Sequence, residues 1–274
     1  MNRLLKIEWG KTWNYNVFKI LGIIYVVSFI ISIIALPLIQ VKTSMTADTD
    51  LLDIKSFYTF PIIWDTYAYL AGKSNLFLAI IVIFLVGNEF SFRTFRQHVI
   101  DGLSRDELLI GKLIVIGVIA LANTIMIFIF GWIFGLIYSS GYAFADTFSH
   151  LYILGIYFIQ AVAYMIMALF LTIWLKNKTL SMVVLLMYFL ILEPILGLVV
   201  RKYVWVKLGL FFPAKVMKKL TTIPENGVIE FIKVNAEFNG LGESLPLYLT
   251  VIMAIGYSLI FYFIARWILL KRDL

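Results

Sequence analysis

Glu193 and Pro194 stand side by side inside an apolar run, residues 180–200. An ionisable side chain within such a run is a functional hypothesis by default. Glu193 is seven residues from the outer end of the run, about 10 Å deep by helix rise. Pro194 has no N–H and kinks the helix or frees a carbonyl. The plainer alternative is a carboxyl that bends outward to pair with Arg201 or Lys202, or that stays protonated. Other chemistry is sparse. There is no cysteine, which removes disulfides, thiolate metal sites and a thiol nucleophile. His98 and His150 have no second histidine or acid at metal-ligand spacing in the sequence, so no metal residues are assigned. An intramembrane enzyme would need convergent catalytic groups, and one isolated glutamate does not supply them. Gly111-Lys112 is no P-loop: Asp106 stands where the first glycine belongs, and Leu113 follows where Ser or Thr would hold magnesium. No catalytic, cofactor-binding or metal residue is therefore assigned, and the chain is not expected to be an enzyme.

The elements that position these residues follow from composition. Of the 274 residues, 62% are hydrophobic and 14% charged. A typical soluble domain is about 45–50% apolar and about 25% charged. That balance excludes a soluble globule and predicts an all-α polytopic membrane protein. A helix crosses the hydrocarbon core with about 20 apolar residues. Five runs qualify: 17–39, 113–138, 151–175, 180–200 and 247–270. A sixth span, 73–92, grows from the shorter apolar stretch 76–87, with Lys73 snorkelling at one end and Glu89 reaching headgroups at the other. Residues 57–71, with Pro61, Asp65 and several aromatics, are expected as a short helix at the outer interface. The whole chain reads as one transmembrane domain, 1–274, with both termini on the same side.

The net charge of +7 is carried by short Lys/Arg clusters between apolar runs. This favours positive cytoplasmic loops over nucleic-acid binding. With cytoplasmic termini, the inner segments hold 13 Lys/Arg, against three outside the long loop 201–246 and seven within it. N-in, C-in is the expected orientation, in the cell membrane, with the basic loop 201–246 as its anomaly. Pro213 is a plausible helix start there, with Val216, Met217 and Leu220 on one face, and Val228, Phe231 and Ile232 on a second. Gly131 and Gly135 form a GxxxG in the third span, spacing that lets helices approach closely. Asn75, Asn123 and Gln160 read as interhelix hydrogen bonds. Trp64, Trp132, Trp174, Trp205 and Trp267 fit interfacial belts.

Residues 89–112 are the most specific segment. Phe92, Phe95, Val99, Ile100 and Leu103 form one apolar helical stripe, with Arg93, Arg96, Gln97 and Asp101 off it. Gly102 suits the left-handed end of that helix. Ser104-Arg-Asp-Glu107 is a capping box opening the next one. Such a rigid element serves either as an interfacial anchor, with the stripe in the headgroups, or as a helix docked in a partner's groove.

Glu89, Arg93-Thr94, Ser104-Arg105 and Gly111-Lys112 resemble the corresponding segment of permease subunits of ABC-2 type transporters. The family often has proline shortly before the Ser-Arg pair, where this chain has Gly102-Leu103. Across the whole chain the architecture also resembles that family: an N-terminal amphipathic segment (Leu5, Trp9 and Trp13, with Lys6 and Lys11), six spans and a larger outer loop before the last. The resemblance implies a coupling helix resting in a cleft of a separate ATP-binding subunit. Its implied ATPase-docking residues are Glu89, Phe92, Arg93, Phe95, Arg96, Gln97, His98, Asp101, Ser104 and Arg105. It also implies a translocation path lined by spans two and five, with Glu193 and Pro194 on it. The implied partners are two ATP-binding subunits, which would hold the ATP and magnesium, and a second permease chain, identical or homologous. Most such transporters export. A non-transporting signalling or mechanotransmission module would use the same docking.

Overall fold

The computed structural model describes residues 10, 15–38, 57–139, 146–203, 208–222 and 245–271. Every regular element among them is helical. In chain order these are α1 (Asn16–Leu38), α2 (Ile62–Lys73), α3 (Asn75–Ser91), α4 (Thr94–Ile100), α5 (Arg105–Tyr138), α6 (Tyr152–Leu175), α7 (Lys178–Met187), a π turn (Tyr188–Leu192), α8 (Glu193–Tyr203), α9 (Pro213–Lys219) and α10 (Leu247–Lys271). Five helical stretches are long and apolar enough to cross a membrane, and a sixth forms if the bent pair α2–α3 counts as one span. The N-terminal amphipathic segment, Trp205 and the face carrying Val228, Phe231 and Ile232 lie outside the described residues.

The centre of the bundle is α6, most of whose residues are buried, whereas α1, α7–α8 and α10 bury only a small share of theirs. It packs on α10, α3, α5 and α2. Its small residues Ala161, Ala163 and Ala168 are fully buried, which suits close helix approach in a membrane. The outer helices turn large apolar side chains outward instead, among them Ile23 and Ile31 of α1 and Leu259 and Phe263 of α10.

The segment 57–71 departs from the sequence expectation. It is a helix, as expected, but it packs into the bundle instead of lying on its surface. Tyr58, Trp64 and Tyr67 are buried, and α2 runs into α3 through a 44° bend at Lys73–Ser74. Its polar groups lower its hydropathy, and several are satisfied inside the protein, although the buried Tyr67 hydroxyl has no hydrogen-bond partner among the described residues. The Trp64 indole donates to the Thr147 carbonyl at 2.7 Å, and the Thr66 hydroxyl to the Ile62 carbonyl at 3.1 Å. Asp65 meets His150 at 2.6 Å, a pairing across 85 residues that sequence spacing does not reveal. Trp64 is thus buried inside the protein, where it stacks on Phe128 at 5.6 Å.

Gly131 and Gly135 make room for this segment. A Cβ at Gly131 would come within 2.6 Å of the Trp64 ring, and one at Gly135 within 2.3 Å of the Phe60 ring. The GxxxG pair is consumed within the chain, accepting aromatic rings from the α2 region.

Candidate functional site

The loop between α3 and α5 is built as a braced, end-on element. At its base, the Lys112 ammonium lies 2.6 Å from the Glu89 carboxylate, both nearly buried. Beside them Lys178 donates to Asn88 Oδ1 at 3.0 Å. Gly87 lets α7 approach there, since a Cβ would stand 2.6 Å from that of Lys178. Arg93 then turns the chain in the left-handed region, at φ 56°. A non-glycine residue there costs about 1–3 kcal/mol and persists only where its surroundings hold it. The holding contact is adjacent: Phe95 stacks on Phe90 at 4.8 Å and is 2% exposed.

Helix α4 ends at Gly102, φ +93°, with the Leu103 N–H reaching back to the His98 carbonyl. The capping box follows as the sequence predicts. The Glu107 N–H donates to Ser104 Oγ at 3.2 Å, and the Ser104 N–H to Glu107 Oε2 at 2.8 Å. The Ser104 backbone and hydroxyl together hold the Glu107 carboxyl below the usual carboxylate range. Arg105 donates to the Leu269 and Leu270 carbonyls at 2.7 and 3.0 Å, placing a cation on the last turn of α10. Arg266 forks onto Asp106 at 2.7 and 3.1 Å, and this hydrogen-bonded guanidinium lowers the Asp106 carboxyl pKa.

These contacts divide the sequence-derived docking residues. Glu89, Phe95, Ser104 and Arg105 build the element from within. Phe92, Arg93, Arg96, Gln97 and Asp101 are exposed, and His98 is half-buried. The apolar stripe also splits. Phe95, Val99 and Leu103 face the bundle at i, i+4, i+8, whereas Phe92 and Ile100 point away, 72% and 82% exposed. Phe92 and Ile100 are the residues that sequence reasoning placed on the wrong face. Phe92 precedes the left-handed turn at Arg93 and lies outside α4, so a single helical register does not run from it to Ile100.

At the other end of the bundle, Glu193 is 5% exposed, and its carboxylate accepts the Ala214 N–H at 2.8 Å. Ala214 lies in the first turn of α9, which starts at Pro213 as the sequence predicts. Lys218 returns the contact, donating to the Phe189 carbonyl in the π turn at 2.7 Å. Burial pushes the Lys218 ammonium below the ordinary lysine range. The π turn precedes Pro194, whose ring cannot continue a regular α ladder. Gln160 donates to the Met217 carbonyl at 2.8 Å and accepts from Thr221 at 3.1 Å. Val216, Met217 and Leu220 are buried, the face expected of this helix. Asn75 accepts from Tyr157 at 3.1 Å, an interhelix bond as expected, whereas among the described residues Asn123 bonds its own helix, at Ile119.

No group of three or more His, Asp or Glu is placed to hold a metal among the described residues. Two Gly-Lys pairs besides Gly111-Lys112 carry a following hydroxyl residue, Gly10-Lys11-Thr12 and Gly72-Lys73-Ser74. Leu5 and Tyr67 stand five residues before them, so neither matches a P-loop.

Fold and loop together define an all-helical bundle with spans long enough for a membrane and a braced element at one end. The chain belongs to the DUF2705 family, described as a protein of unknown function, whose model matches residues 58–274. The chain matches no curated protein.

Proposed function

We propose that this chain is the membrane-spanning permease subunit of an ABC-2 type transporter, working as an exporter and powered by a separate ATP-binding subunit. The observation that carries the reading is the α4 tip. Phe92 and Ile100 stand exposed beside Arg93 and Arg96, on an element locked to three helices. A lipid anchor would lie along the interface with its apolar face inward. Here α5 supports the docking alternative. Its 34 residues make a helix about 51 Å long, against a hydrocarbon core of about 30 Å. The eight residues 105–112 before its apolar run amount to about 12 Å of helix, enough to stand α4 clear of the core. Exposed aromatic and aliphatic side chains flanked by arginines suit a protein cleft.

In this reading α4 is the coupling helix and the termini are cytoplasmic, in keeping with the Lys/Arg asymmetry outside 201–246. Two permease chains, identical or homologous, sit in the cell membrane above two ATPases. Closure of the ATPases pushes on α4, and the Glu89–Lys112 and Arg105 contacts pass that push to α3, α5 and α10.

The test is capture of the tagged chain with a co-expressed lone ATP-binding subunit. The Arg93→Glu/Arg96→Glu variant is expected to lose at least tenfold in complex. Unchanged capture and unchanged ATPase stimulation in that variant overturn the assignment.

A further inference from the structure

A groove of about 630 Å³ opens on the side of the bundle between α1 and α5, with α3 as its floor. Helix α1 packs on α2 and α3, and α5 packs on α6 and α2. Leu78 and Ile81 of α3 show between them. We infer that this groove is a binding site for one acyl chain of an anionic phospholipid, whose phosphate is met by Lys19.

Four observations carry the inference. The first is length. The lining runs from Phe18 to Val27 on α1, nine helical steps, or about 13 Å. One leaflet of hydrocarbon is about 15 Å deep, half of the core. The second is polarity. Apart from Lys19 the walls are mostly apolar; the Tyr25 hydroxyl is bonded to that of Tyr157 and the Asn123 amide to Ile119 of its own helix.

The third is width. Gly22 lies in the wall, where a Cβ would meet nothing within 4 Å, and Ala122 of α5 lines the groove too. Gly22 has open space beside it and Ala122 is exposed, so their small size keeps the groove open. The fourth is charge. Lys19 is exposed in the lining at the end of the bundle where Lys112, Lys178 and Arg105 lie. Its ammonium has no hydrogen-bond or ion-pair partner among the described residues. A lysine one turn into a span extends its ammonium to the headgroups, where it meets the phosphate of the lipid whose chain fills the groove. This inference needs the membrane-spanning helices but not an ATPase partner.

The test reconstitutes the full chain in phosphatidylcholine nanodiscs with a trace of phosphatidylglycerol carrying a diazirine midway along one acyl chain. Adducts are expected on 18–27 and 118–126. Unlabelled phosphatidylglycerol should compete about fivefold better than phosphatidylcholine, the preference one lysine gives near an anionic headgroup. Lys19→Glu should abolish that preference and leave labelling by a phosphatidylcholine probe intact. Gly22→Leu/Ala122→Leu should cut adducts at least fivefold with an unchanged melting temperature. Equal competition by the two lipids, or adducts spread evenly over the outward faces of α8 and α10, overturns the site. Efficient copper-catalysed cross-linking between two copies of a Gly22→Cys variant, unambiguous because the chain has no cysteine, also overturns it by making the groove a contact between copies.

Discussion

The two ends of the bundle use the same residue types in opposite ways. At the α4 end, aromatic, aliphatic and basic side chains are held outward by buried polar contacts beneath them. At the α9 end, the acid, the lysine and the glutamine turn inward on backbone groups: Glu193 on the Ala214 N–H, Lys218 on the Phe189 carbonyl, Gln160 on the Met217 carbonyl. An ionisable residue in an apolar run therefore has two meanings. Glu193 fastens a short helix to a π turn. Glu89 is also buried, but the element it braces displays Phe92 and Ile100. Residue type alone does not separate display from fastening; the direction of the side chain does.

The largest expected effect tests the brace. Lys112→Ala leaves Glu89 buried without its 2.6 Å partner. Loss of one member of a buried ion pair costs about 3–5 kcal/mol. Thermal unfolding in detergent should register it, and replacing both residues, as Glu89→Gln/Lys112→Met, should recover most of the loss. If Lys112→Ala melts like the parent, the brace is not what holds α4.

The next effect separates fastening from gating at Glu193. Glu193→Leu removes the acceptor of the Ala214 N–H and should cost about 1–3 kcal/mol, the penalty for an unsatisfied buried donor. Glu193→Gln keeps an acceptor and should stay within about 1 kcal/mol. Transport assays on the glutamine variant complete the comparison. Unchanged transport at normal expression leaves Glu193 as a clip, and lost transport at parental stability restores it to the path.

Much of this was legible beforehand, for identifiable reasons. Long apolar runs and the Ser104–Glu107 cap are local signals, set by helix length and by contacts three residues apart. Pro213 as a helix start is local too. The helix Ile62–Lys73 is legible as a helix, but its burial is not, because Asp65 and Trp64 read as surface residues until His150 and Thr147 come into reach, more than 80 residues away. The partner of Glu193 was hidden likewise, since Ala214 offers only a backbone N–H. On α4, periodicity found an apolar stripe but not which of its edges faces the bundle. The Phe95–Phe90 stack settles that.

The smallest expected effect on stability is the sharpest test of display. Phe92 and Ile100 are the most exposed large apolar residues of the α3–α5 loop. An exposed side chain removed from a surface changes stability by no more than about 0.5 kcal/mol. Phe92→Ala/Ile100→Ala should therefore melt within about a degree or two of the parent, given the size scaling for 150–250 residues and above. Anchors in a protein cleft, by contrast, each cost about 2 kcal/mol or more of binding when truncated. If α4 docks on an ATP-binding subunit as proposed, the double variant should lose its capture by more than tenfold while its own fold is unmoved. Phe95→Ala is the matched control at the same helix: its buried ring should cost about 3–5 kcal/mol of stability. If Phe92→Ala/Ile100→Ala destabilises the chain as Phe95→Ala does, the outward face is a packing face and the two ends of the bundle no longer differ.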